Sequence, residues 1–172
     1  MAQENKTKLH FKGEITMKFN NKKLYAFIIT ILGIGATAML LLPSLVFEAT
    51  ETSFTGLEAV FGTQFISLGI FGSGQIELSI LGIAAYCLPL LAAVIAVMYY
   101  KNSGAVVSMF LFTASAVLLL LLPTYSVSTA TVLGITNVLD VSWIMGSGLI
   151  IASTICICGA LICFAKTLSS RS

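Results

Sequence analysis

Four long apolar runs, each near the ~20 residues that cross a bilayer as a helix, divide the chain: Leu24–Phe47, Leu78–Tyr100, Ala105–Leu122 and Trp143–Ala165. Lys101-Asn102-Ser103-Gly104 is a tight turn, which makes the second and third runs antiparallel neighbours. The segments after the first and third runs are longer and richer in Ser, Thr and Gly. In the first of them Phe54, Leu57, Phe61 and Phe65 recur at helical spacing with Glu58 off that face. This spacing predicts an amphipathic segment lying at the membrane interface or across the mouth of the bundle, with Ile66, Leu68, Ile70 and Phe71 following between Gly69, Gly72 and Gly74. The alternatives for so apolar a loop are a partner-binding surface or a re-entrant element.

Charge then sets a direction. All nine Lys and Arg lie outside the runs: Lys6, Lys8, Lys12, Lys18, Lys22 and Lys23 before the first, Lys101 in the turn, Lys166 and Arg171 after the fourth. The segment after the first run holds Glu48, Glu51, Glu58 and Glu77, and that after the third holds Asp140, with no base in either. Cytoplasmic loops carry the excess of Lys and Arg. The expected fold class is therefore an all-α integral membrane protein, four transmembrane helices with both termini cytoplasmic. Residues 1–23 form a basic cytoplasmic tail, 24–166 one four-helix domain and 167–172 a second tail. A hydrophobic content of 58% against 9% charged residues excludes an ordinary soluble domain. The net charge of +2 reads as juxtamembrane lysines beside anionic lipid, not as a nucleic-acid surface.

Two features qualify the N-terminus. Ala36-Thr37-Ala38 resembles a signal-peptidase site, but the apolar run continues well past it, favouring an uncleaved first span. Lys12-Gly13-Glu14 can be encoded as a purine-rich ribosome-binding sequence before Met17, which points to a bacterial start at Met17. An internal resemblance between Met39–Ser44 and Leu119–Thr124, each followed by a Ser/Thr-rich stretch, is compatible with a parallel duplication.

Candidate chemistry is sparse. The runs contain no Asp, Glu, Lys, Arg or His, so ion coupling has no intramembrane charge, and the lone His10 in the tail leaves hydrolase chemistry without a base. The chain is expected not to be an enzyme and to hold no cofactor or metal. Cys87, Cys156, Cys158 and Cys163 read as packing residues, with acylation of Cys163 the alternative. Gly148, Ala152, Cys156 and Ala160 form a small-residue stripe for helix packing, with Ala92/Ala96 and Gly33/Thr37 as shorter ones. Tyr86, Thr113 and Ser115 are candidates for a polar path, and Pro89 frees a carbonyl near Ala85 beside Tyr86. Trp143, Tyr99 and Tyr100 stand where interfacial aromatics sit.

In topology alone the layout is similar to claudins and tetraspanins. The first outer loop has neither the Trp and paired cysteines of the former nor the Cys-Cys-Gly of the latter, so no residue role carries over. The expected function is a scaffold or accessory subunit in a bacterial cytoplasmic membrane, contacting lipid and a membrane-protein partner or further copies of itself. The alternative is an oligomeric channel or uncoupled permease with a hydroxyl-lined path.

Overall fold

The structure, a computed structural model, describes residues 21–48, 51–67, 72–99 and 102–169. The readings that concern Met17, His10 and the Leu68–Phe71 stretch lie outside these residues, as do Tyr100 and Arg171.

Four helices are long and apolar enough to cross a membrane. They are α1 (Asn21–Ala38), α3 (Ile80–Met98), α4 (Asn102–Leu120) and α6 (Ser147–Ser169). They pack in a ring: α1 against α3 and α6, and α4 against the same two. Many large side chains point outward, Phe27, Ile31, Val94, Phe110 and Leu161 among them, while the interior combines Ile29, Phe112, Leu119 and Leu149 with small residues, Ala85, Ala92, Ala96, Ser108, Ser115, Ala152 and Cys156. An apolar exterior suits lipid, and small interior residues let the helix backbones approach closely.

An all-α class is contradicted. At the end of the bundle where α1 stops and α3 begins, the chain builds two antiparallel sheets, three strands in the order β2-β1-β7 and four in the order β3-β4-β5-β6. The strands are β1 (Pro43–Phe47), β2 (Thr52–Thr55), β3 (Thr63–Ser67), β4 (Gly72–Ile76), β5 (Ser128–Val132), β6 (Ile135–Leu139) and β7 (Trp143–Met145). The hydropathy of Pro43–Phe47 and Trp143–Met145 merges them with the neighbouring spans, but α1 ends at Ala38, a short 3-10 turn follows over Met39–Leu41, and both stretches are strands.

The expected interfacial helix is also corrected. Only Gly56–Phe61 (α2) is helical. Thr55 and Glu58 form a capping box that starts it, and Gly62, at φ +89, ends it. Phe54 lies in β2 and Phe65 in β3, so the spacing of three and four residues that suggested one helical face crosses two element boundaries. Phe54 and Phe65 instead join Phe47 and Trp143 in an aromatic cluster, with ring centroids 5.7–6.4 Å apart. The cluster draws on β1, β2, β3 and β7 and so joins the two sheets. Trp143 Nε1 also donates to Ser128 Oγ at 3.2 Å. Trp143 is therefore an inter-sheet residue rather than a free interfacial anchor.

The two halves continue differently after their Leu-Pro motifs. Pro43 opens a strand, whereas Pro123 lies in a short helix, α5 (Leu122–Tyr125). Tyr125 donates to the carbonyl of Leu118 at 2.9 Å. Burial, with the nearby Tyr86 phenol second, pushes its hydroxyl up to about 12, so it stays a protonated donor at neutral pH.

Candidate functional site

Inside the bundle, α3 is the acceptor for its neighbours. Pro89 has no N–H, so the Ala85 carbonyl one turn earlier lacks its helical partner. Ser115 of α4 supplies the replacement, its hydroxyl donating to Ala85 O at 2.6 Å, and Cys156 Sγ lies 3.4 Å from Ser115 Oγ. Thr37 of α1 donates to Tyr86 O at 2.9 Å and to Gly33 O at 3.1 Å. Ser108 of α4 donates to Ala92 O at 2.9 Å. The Tyr86 hydroxyl meets Ser44 Oγ of β1 at 2.9 Å, which ties the bundle to the sheet above it.

Of the three polar-path residues, Tyr86 and Ser115 are thus brought to the same region and used in bonds between elements. Thr113 is not with them. It is exposed on the outer face of α4 and donates back to Met109 O of its own helix at 2.9 Å.

Gly148, Ala152 and Cys156 are buried, but Ala160 is only half-buried, and Gly159 and Cys163 take the inward face instead. The cause is geometric: an i+4 step overshoots a full turn by about 40°, so three such steps rotate a stripe well off its starting face. Ala160 lines an external groove of ≈ 350 Å³ with Met109, Thr113, Leu161 and Phe164. At Gly159 a Cβ would stand 3.0 Å from the Phe112 ring, whereas Gly148 lies against Leu42 and Pro43 where β1 begins. Gly159→Leu should therefore lower unfolding stability in detergent by about 1–3 kcal/mol, as overpacking does, while Ala160→Leu stays near wild type. Equal losses would restore the straight stripe.

At the sheet end α2 packs against the start of α3 and the 3-10 turn after α1, with Ala59 and Val60 buried, and Val60 and Leu122 converge on Gly82 at the start of α3. Leu57 and Phe61 point away from this contact and are exposed. Ser79 N–H donates to Val60 O at 2.8 Å, fixing α2 to the helix it packs against.

At the opposite end, Lys166 Nζ sits 3.5 Å from the Tyr25 ring centroid, and the Tyr25 hydroxyl donates to buried Cys163 Sγ at 3.2 Å. No group of three or more His, Cys, Asp or Glu that could hold a metal occurs among the described residues.

What the runs of hydropathy miss is the β5–β6 hairpin. Val132 pairs with Ile135 across a two-residue turn, Leu133-Gly134, both at positive φ (52 and 86). This is the turn whose twist suits a hairpin, and a residue-Gly pair between β-branched runs was its signal. Val132, Leu133, Ile135 and Val138 are all exposed, Leu133 at 77%. The chain matches no protein-family model, no curated protein and no solved structure.

Proposed function

We propose that this chain is a small multi-pass protein of a bacterial cytoplasmic membrane, with both termini in the cytoplasm, that acts without catalysis as a scaffold or accessory subunit of another membrane component. One contrast supports the reading. The hydroxyls of Thr37, Ser108 and Ser115 in the bundle interior are spent on bonds between its own helices, and the Tyr86 hydroxyl on one to β1. The sheet end presents exposed apolar surface, on the hairpin and β6 and on Leu57 and Phe61 of α2. A molecule built for conduction needs free polar groups along an open path; one built for assembly needs a presented surface. The orientation rests on charge: Glu48, Glu51, Glu58, Glu77 and Asp140 belong to the sheet end, and the bases belong to the tails and the turn. The bacterial assignment rests on the start-like stretch before Met17.

The test pairs two assays on the full chain. Liposomes holding the purified protein should retain an entrapped small neutral solute as well as empty liposomes do. Gentle detergent extraction from the native membrane should yield the chain in a defined assembly with another membrane protein. Solute leakage above the empty control, with no such assembly, would establish the channel alternative instead.

A further inference from the structure

Strand β6 forms one edge of the four-stranded sheet, and among the described residues nothing pairs with its outer side. The hairpin turn fixes which backbone groups face outward. Val132 and Ile135 close a two-residue turn and are a hydrogen-bonded pair, so Asn137 and Leu139 also bond inward to β5. The N–H and C=O of Thr136 and Val138 therefore point away from the sheet. Proteins usually blunt such an edge with a charge, a proline, a bulge or a very short strand. The other sheet edges carry such devices: β3 is irregular between Gln64 and Ile66, β7 has three residues, and β2 has four. β6 has five residues with regular pairing, and Ile-Thr-Asn-Val-Leu contains no charge and no proline.

The strand is also a palindrome in chemical class: apolar, β-branched, amide, β-branched, apolar. We infer that β6 pairs antiparallel with β6 of a second copy of this chain, about a two-fold axis through Asn137, joining the two four-stranded sheets into one. In that register Thr136 faces Val138 of the partner as a hydrogen-bonded pair, in both directions, giving about four backbone bonds. Ile135 faces Leu139, so apolar meets apolar on the face shared with Asn137. The two Asn137 amides face each other across the axis, where each donates to the other's carbonyl. Asp140 falls opposite Gly134, so no like charges meet. A different strand would satisfy the free backbone groups equally well. The palindrome favours a second copy, because self-pairing sets apolar against apolar at both ends, β-branched against β-branched, and amide against amide on the axis. The inference rests on the sheet and goes beyond the scaffold reading, since a dimer of this kind is compatible with either function.

The test uses purified full chain in mild detergent. Directly opposed residues at a non-hydrogen-bonded site have Cα atoms about 4.5 Å apart, inside the range a disulfide spans. Asn137→Cys should form a reducible dimer on mild oxidation, whereas Thr136→Cys, whose two copies are offset along the strands, and the wild type should not. Light scattering should give the wild type twice its 18.2 kDa chain mass. Val138→Pro should return it to one chain mass, because that N–H faces outward and its loss leaves the β5–β6 ladder intact. The inference is overturned by a wild type at single-chain mass, by no reducible dimer of Asn137→Cys, or by equal cross-linking of Asn137→Cys and Thr136→Cys. If Val138→Pro fails to fold, the two cysteine variants still decide.

Discussion

Gly33→Leu should leave little folded protein in detergent, and Gly33→Ala should already cost about 1–3 kcal/mol, the range of an overpacked core. A Cβ at Gly33 would lie 2.6 Å from the Pro89 carbonyl oxygen and 2.8 Å from Ala93 Cβ. Neither neighbour can swing aside: one is backbone and the other has no rotamer. The close approach of α1 and α3 also lets Thr37 reach Tyr86 O, so separating the helices breaks that bond as well. Gly35 is the control. Its Cβ would meet only Ile155 Cδ1, at 4.0 Å. Gly35→Ala should be neutral or slightly stabilising, because Ala is the better helix residue. Coincident unfolding curves for Gly33→Ala and Gly35→Ala would show that α1 does not pack on α3 at this point.

Ser115→Ala should cost about 1–3 kcal/mol, the penalty for a buried acceptor left without a donor. The penalty exists only because Pro89 cannot serve Ala85 O. In a Pro89→Ala background the restored N–H can bond that carbonyl, so the same serine substitution should cost less than half as much. The pair should thus show a positive coupling in a double-mutant cycle. Additive losses would mean that Ser115 acts through packing alone. Thr113→Ala gives the complementary check: its hydroxyl only returns to Met109 O, and its loss should be small.

These two sites show what the chain's pattern discloses and what it hides. The helices follow from uninterrupted apolar runs, and the carbonyl freed by Pro89 follows from proline's missing N–H. That Ser115 rather than Thr113 answers it does not follow, because both lie in one apolar helix whose weak amphipathicity does not mark an inner face. The β-layer was hidden for a related reason. Pro43–Phe47 and Trp143–Met145 are apolar strands contiguous with apolar helices, so hydropathy merges them. Phe54, Leu57, Phe61 and Phe65 fall at helical intervals by coincidence of three short elements. Local signals did mark those elements: Thr55 with Glu58 as a capping box, Gly62 as a stop, Leu133-Gly134 as a hairpin turn. The small-residue stripe drifts toward the surface at its far end, where Ala160 is half-buried, since a strict interval of four is not the period of a helix.

Cysteine accessibility in sealed cells tests the layered arrangement most directly. Ser53 and Asp140 are exposed at the sheet end, and Ser103 is exposed at the start of α4, at the other end of the bundle. In a chain whose exposed Cys87 and Cys158 are replaced, Ser53→Cys and Asp140→Cys should react with a membrane-impermeant thiol reagent added outside intact cells. Ser103→Cys should react only after lysis. Labelling of Ser103→Cys in sealed cells, or protection of Ser53→Cys and Asp140→Cys until lysis, would contradict a membrane bundle carrying its sheets on the outer face.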